Sequence, residues 1–156
     1  DSYKQYIRGS AEAVGLMCLY VFTTNKNGKY KDLKPYAESL GSAFQKINFL
    51  RDLSDDYNHL HRVYFPNLDI SKFDNVQKKS IEEDIEKEFI HALVGIKLLD
   101  EKAQKGVYLA FRYYVSLFNK IKDLDASYIL KNRVRISNFN KILILIFSQF
   151  SFKLKY

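Results

Sequence analysis

The sequence predicts an all-α fold, and three observations carry that prediction. Glycine and proline are scarce, six and two among 156 residues, so long stretches run without either helix breaker. Apolar residues recur at helical spacing, as in Leu40, Phe44, Ile47 and Leu50. Strand-like alternation is nearly absent, and no internal repeat is visible. A length of 156 residues suits one domain with a real core, and a composition 47% hydrophobic and 28% charged belongs to a folded chain.

The elements follow in order. Residues 2–22 read as an apolar helix with the small residues Gly9, Ser10, Ala11, Ala13 and Gly15 along one flank, suited to close packing. "TTNKNGKYKD" at 23–32 is a turn segment marked by Asn27-Gly28. A long helix is expected from about 33 to 58, since Pro35 is tolerated in a first turn. "HRVYFPNLDIS" at 61–71 is an extended loop, because Pro66 drives Phe65 out of the helical region. Another helix is expected over 75–99, then a break near Lys105–Gly106, then a helix in "VYLAFRYYVSLFNKIKDL", and a last one over 138–152.

A net charge of +7 admits anionic partners, and its distribution narrows them. Between 72 and 105, lysines alternate with acids, as in "KKSIEEDIEKEF", which reads as a solvated helix face. The balance turns basic from Lys120 onward. No zinc-ligand spacing or aromatic RNA-binding signature accompanies it, so nucleic acid is not an expected partner. The lone Cys18, in "VGLMCLYVF", excludes a disulfide framework; it reads as a small buried hydrophobe in a reducing compartment, and a cytoplasmic location is expected. The longest apolar run, "ILILIF", falls far short of the roughly 18 residues of a membrane span, and no cleavage pattern opens the chain.

The chemistry concentrates in "NFLRDLSDD" at 48–56. Residues four apart share a helix face, so Gln45, Asn48, Asp52 and Asp56 form one polar stripe with Arg51 beside it, opposite the apolar Phe44, Ile47 and Leu50. Two carboxylates one turn apart suit magnesium, which takes a few carboxylates together with phosphate oxygens and water. An arginine can hold phosphate through a forked hydrogen bond, and an asparagine can complete a metal shell or orient a ligand. An exposed acidic helix end is the plainer reading of the same pattern. His59 and His61 read as surface histidines, and His91 in "FIHALVG" as a satisfied core or boundary residue.

These residues resemble the squalene/phytoene synthase family. "YIRGSAEAVGLM" at 6–17, "LGSAFQKINFLRDLSDD" at 40–56 and "RVYFP" at 62–66 carry the resemblance, and "VYLAFRYYVSLFNKI" and "NRVRIS" extend it. The wording is most like that of bacterial phytoene synthases. The resemblance implies a helical isoprenoid-synthase bundle that condenses two prenyl diphosphates head to head, geranylgeranyl diphosphate giving phytoene. Magnesium, with manganese as a substitute, would neutralise the departing diphosphate inside an apolar cavity that excludes water.

Residue by residue, the resemblance gives Asn48, Asp52 and Asp56 as metal ligands, with Asn48 and Arg51 holding diphosphate. It gives Tyr6 as a tyrosine near the reacting diphosphate and Gln45 as a polar cavity residue. Ala11, Val14 and Gly15 become cavity wall, and Tyr114 and Arg133 diphosphate contacts. Two features depart from the family pattern. Glu12 stands where a small residue is usual. The family's first D-x-x-x-D belongs on a helix earlier than any in this sequence. The expectation is therefore that 1–156 is the C-terminal portion of a single all-helical domain, inactive alone and with apolar cavity surface exposed. A squalene-type synthase using farnesyl diphosphate and a non-catalytic helical partner remain as competing readings. The segment 139–156 pairs Lys141, Lys153 and Lys155 with Phe147, Phe150 and Phe152, which fits peripheral contact with a membrane and equally fits a last core helix.

Overall fold

The structure is a computed structural model and describes residues 2–24, 28–66 and 68–150, with side chains given through Ser148. All regular structure among these residues is helical, as the sequence predicts. The first apolar stretch is α1 (Ser2–Ile7), a π-helical turn (Arg8–Glu12) and α2 (Ala13–Thr23), running on without a break. The long α3 (Lys29–Leu60) follows, with Pro35 tolerated in its second turn. After a 3₁₀ turn (Ile70–Lys72) come α4 (Asn75–Leu98), α5 (Glu101–Lys122), the short α6 (Ala126–Ile129) and α7 (Asn138–Phe150). Asn27 of the expected turn, Asn67, and Phe152, Lys153 and Lys155 lie outside the described residues.

Helix α3 is the axis of the fold. Its buried row Ala43, Ile47, Leu50 and Leu53 meets Ile85, Phe89 and Ile96 of α4 and Phe111, Leu117 and Phe118 of α5 in one core. The approach is close at three glycines. A Cβ on Gly41 would sit 2.7 Å from the Ala11 carbonyl oxygen, one on Gly15 2.9 Å from that of Ala37, and one on Gly95 would overlap the Tyr36 side chain. Glycine at these places lets helix backbones approach where any side chain would hold them apart.

Three expectations change. No break occurs at Lys105–Gly106: α5 runs through both, and the chain turns instead at Leu99 and Asp100, which are extended. One glycine costs a helix about 1 kcal/mol, too little to interrupt one that buries Tyr108 and Phe111. Cys18 is exposed rather than buried. It stands in the uncharged α2, three residues beyond Gly15, which packs on α3, and its exposure is to open space beside that contact. The charged run on α4 is solvated only in part. Lys79, Glu83 and Lys87 face water, but Lys78 and Glu82 are buried as an ion pair at 2.5 Å. Lys78 also donates to the Lys122 carbonyl oxygen at 3.2 Å, so its charge has two partners on leaving water.

Candidate functional site

Between α2, α3, α4 and α5 lies a cavity of about 500 Å3. Ala11 of the π-helical turn and Val14 and Gly15 of α2 line one side of it, while Gln45, Asn48 and Tyr114 supply amide and hydroxyl groups at one end. The Tyr114 ring stacks on Phe44 with centroids 3.8 Å apart, and its hydroxyl donates to Asn48 Oδ1 at 3.3 Å. Stacking thus fixes the ring that orients the asparagine amide. Cys18 lines the same space, as do Phe22, Leu33, Leu99 and Lys102 at the other end, which the sequence reading did not single out. Phe22 and Leu33 were visible only as ordinary apolar helix positions, and nothing local marked Leu99 or Lys102.

One turn beyond Asn48 the helix becomes ionic. Arg51 makes a forked contact with Asp52, Nε to Oδ1 at 2.9 Å and Nη2 to Oδ2 at 2.5 Å. Arg133 reaches the same carboxylate, Nε to Asp52 Oδ1 at 2.8 Å, and contacts Asp55 Oδ2 at 3.5 Å. It gets there because the segment after α6 is pinned to α3: Val134 is buried and its N–H donates to the Arg51 carbonyl oxygen at 3.3 Å. Asp56 has the opposite surroundings. Partial burial raises its carboxyl above the ordinary aspartate value, Asp52 and Asp55 raise it further, and Arg133 and Arg62 offset this only in part. Asp52 is a carboxylate held by two guanidiniums, whereas Asp56 has two carboxylate neighbours and only partial compensation from Arg133 and Arg62.

The donor set suits magnesium in kind. Asn48, Asp52 and Asp56 offer hard oxygen atoms on successive turns, and the burial and neighbouring carboxylates that raise the Asp56 carboxyl make a setting that a divalent cation would ease. Among the described residues no group of three or more His, Cys, Asp or Glu side chains is gathered tightly enough to hold a metal without further ligands. Tyr6 lies apart from the cavity lining. It is 46% exposed and its ring packs on Phe49 and Tyr64, with centroids 5.8 and 5.3 Å away. His59 and His61 are on the surface, and His91, also exposed, is partnered by Ser39 Oγ at 2.8 Å and by the Tyr36 ring.

A buried polar cluster beside the cavity escaped the sequence reading. Lys46, 7% exposed, pairs with Asp84 at 2.5 Å and Glu88 at 2.6 Å, and Ser42 donates to Glu88 at 2.7 Å. Burial works to lower the Lys46 ammonium, but its hydrogen bonds to Asp84 and Glu88 prevail and hold it above the ordinary lysine value. The only signal in the sequence was a lysine among the apolar positions of α3.

With this geometry in view, the comparisons with known proteins are direct. The squalene/phytoene synthase family pattern matches residues 1–94, more than half of the chain. The chain belongs to the squalene/phytoene synthase family. It is 24% identical over 152 residues to a 4,4'-diapophytoene synthase of Staphylococcus haemolyticus, covering 87% of this chain and 51% of that protein. It is 36% identical over 66 residues to a hydroxysqualene synthase of Zymomonas mobilis, covering 42% of this chain and 20% of that protein. The chain thus spans at most about half the length of these curated relatives. The family match takes in α1, α2, α3 and most of α4, and so includes three walls of the cavity and the whole of the carboxylate stripe.

Proposed function

We propose that this chain forms one wall of a head-to-head prenyl transferase, joining two geranylgeranyl diphosphates to phytoene as a step toward carotenoids. One observation carries the reading: on α3 an apolar cavity wall passes directly into Asn48, Arg51, Asp52 and Asp56. A prenyl diphosphate has the same division, a long hydrocarbon ending in a dense anion. Asn48, Asp52 and Asp56 would hold magnesium, which when bound supplies charge neutralisation to the departing diphosphate. Arg51 and Arg133 exchange their contacts with Asp52 for diphosphate oxygens, the forked geometry serving both. Tyr114 keeps the Asn48 amide oriented, and the aliphatic and aromatic cavity surface excludes the water that would quench a carbocation. The name hydroxysqualene synthase of the Zymomonas relative favours a second reading, a squalene-type synthase using farnesyl diphosphate.

The test uses the protein that carries this chain. Asp52→Asn and Asp56→Asn are each expected to lower turnover at least about a hundredfold at limiting magnesium, each removing a negatively charged oxygen ligand at nearly constant shape. Wild-type turnover in either would sink the assignment. Arg51→Lys keeps the charge but loses the fork, and weaker substrate handling is expected in its steady-state kinetics. Residues 1–156 by themselves are expected to be inactive. Peripheral membrane contact belongs to the same proposal. No helix among the described residues is long and apolar enough to cross a membrane, but α7 leaves Phe139, Ile142 and Phe147 exposed. Flotation with anionic and neutral vesicles at low and high salt decides it, salt-sensitive preference for anionic vesicles being the expected result.

A further inference from the structure

Helix α5 presents chemistry on two opposite sides. Gly106, Ala110 and Tyr114 line the cavity described above. Tyr108, Arg112 and Ser116, spaced by four, share the side turned away from it. There α7 packs on α5 and leaves a second, separate cleft of about 240 Å3, to which α7 contributes Asn140, Phe147 and Ser148. The polar groups of this cleft are donors without acceptors. Arg112 Nη1 donates to the Tyr108 hydroxyl at 3.4 Å, and among the described residues Arg112 has no carboxylate partner. The Tyr108 hydroxyl proton and the Ser116 and Asn140 side chains likewise have no acceptor among the described residues. Tyr108 is 2% exposed, so one of these donors is built into the fold, where a hydroxyl without an acceptor is costly.

We infer that the α5–α7 cleft binds the phosphate of an anionic phospholipid, with α7 lying flat in the lipid surface. This rests on the peripheral membrane contact proposed above and gives that contact a specific site. A guanidinium matches phosphate oxygens through a forked hydrogen bond, and the hydroxyls and amide beside it add donors to the same anion. No carboxylate lines the cleft, α7 carries none, and the one acid of α5, Glu101, is paired with Lys105 at 2.6 Å. Nothing in the cleft can therefore hold a metal for a diphosphate, and one guanidinium balances the single charge of a phosphodiester.

The apolar surface beside the cleft selects a lipid over a free phosphate. Phe147, at the cleft, is 58% exposed, and Ile142, Leu145 and Ile146, on the side of α7 turned from α5, are 46–55% exposed. A soluble phosphate would use the donors and leave these side chains in water, whereas a phospholipid in a bilayer engages both. Helix α7 has 13 residues, about 20 Å at 1.5 Å per residue, too short for a hydrocarbon core of about 30 Å. It can lie along a bilayer but not cross one.

The experiment floats the protein that carries this chain with two kinds of phosphatidylcholine vesicle of equal surface charge and ionic strength. In one the charge comes from phosphatidylglycerol, in the other from a fatty carboxylate. Wild type is expected to bind the phosphatidylglycerol vesicles at least about tenfold more tightly, the weaker end of what one charge-assisted hydrogen bond contributes. Arg112→Gln should bring that binding down to the carboxylate level, and Arg112→Lys, which keeps the charge without the fork, should fall between. Lys141→Gln, outside the cleft, should weaken binding to both vesicles alike. Thermal unfolding confirms that each variant is folded. Equal binding of wild type to the two vesicles, or a preference that folded Arg112→Gln retains, would overturn the headgroup site and leave contact by charge alone. Release from the vesicles by micromolar glycerol phosphate would make the cleft a site for soluble phosphate and overturn the lipid. Binding to neither vesicle would overturn the site and the membrane contact together. The transferase reading is tested by turnover, so none of these outcomes touches it.

Discussion

Helices α2 and α4 flank α3 on two sides, both antiparallel to it and both close to it at a glycine, yet their fates differ. Helix α4 is covered within this chain along most of its apolar face. Ile85, Phe89, Leu93 and Ile96 are buried, while Lys79, Glu83 and Lys87 face water, although Ile90, Val94 and Leu98 are left exposed toward its end. Helix α2 carries no charge at all. It buries Leu19 and leaves Val14, Met17, Tyr20 and Val21 between 49% and 69% exposed. A helix apolar on every side needs cover on every side. The lesson is that a hydrophobic pattern states how much burial a segment requires, but not that its own chain provides it.

The comparison breaks most visibly at Phe89. Its ring is 0% exposed and meets Phe111 at 5.2 Å and Phe118 at 5.8 Å. Phe89→Ala should cost about 3–5 kcal/mol in denaturant unfolding, lost transfer energy plus a cavity the rigid neighbours cannot close. A cost below about 1 kcal/mol would show that the α3–α4 core is not packed as described.

Gly95→Ala comes next. The added Cβ overlaps Tyr36, so α4 must move off α3 or the tyrosine must turn, for about 1–3 kcal/mol. Gly106→Ala is its control, because nothing lies within 4 Å of the new Cβ and α5 is helical there. That substitution should stabilise by up to about 1 kcal/mol. Opposite signs in thermal unfolding sharpen the distinction between a glycine that serves packing and one that does not.

Most of the fold was legible because periodicity and helix breakers are local. The shared face of Asn48, Asp52 and Asp56 follows from the register of one helix, but Phe44, read as lying opposite, lines the cavity beside Gln45 and Asn48, being itself one turn from Asn48. What failed was what depends on neighbours. Gly106 looked like a break because propensity was read without the burial of Tyr108 and Phe111 that outweighs it. Cys18 looked buried because an apolar context was taken to imply a covered one. Lys46, Asp84 and Glu88 were invisible as a cluster, because 38 residues separate Lys46 from Asp84 and nothing in either segment names its partner. Arg133 could be assigned only by resemblance; the pinning of its loop to α3 is long-range.

The covered flank also carries a pH signature. Burial pushes the Glu88 carboxyl above the ordinary glutamate value, with Lys46 and Ser42 pulling it back only in part. The folded state then holds a proton more tightly than the unfolded state. This contribution to stability is full below the unfolded pKa and is lost as pH rises through the folded one, in a window just above the ordinary glutamate range. The expected slope is shallow, less than one proton, and Glu88→Gln should flatten it in unfolding curves recorded across that window. A slope that survives the substitution belongs to another group, Glu12 being the first to examine because it too is raised by burial and by Glu38.

The smallest effect is expected on the bare flank. Met17 and Val21 lie one turn apart on α2, 61% and 69% exposed. In residues 1–156, Met17→Ser with Val21→Ser should change unfolding free energy by no more than about 0.5 kcal/mol per site, the range of surface substitutions, whereas two packed core residues would cost several kcal/mol together. Solubility should rise, because the pair removes part of a contiguous apolar surface. The same double variant in the protein that carries this chain distinguishes a face that stays exposed from one that is covered. A cost of about 2 kcal/mol or more there, with none in residues 1–156, would show that α2 gains cover from outside these residues. Near-zero cost in both would make the apolar face of α2 a true surface and remove the contrast with α4.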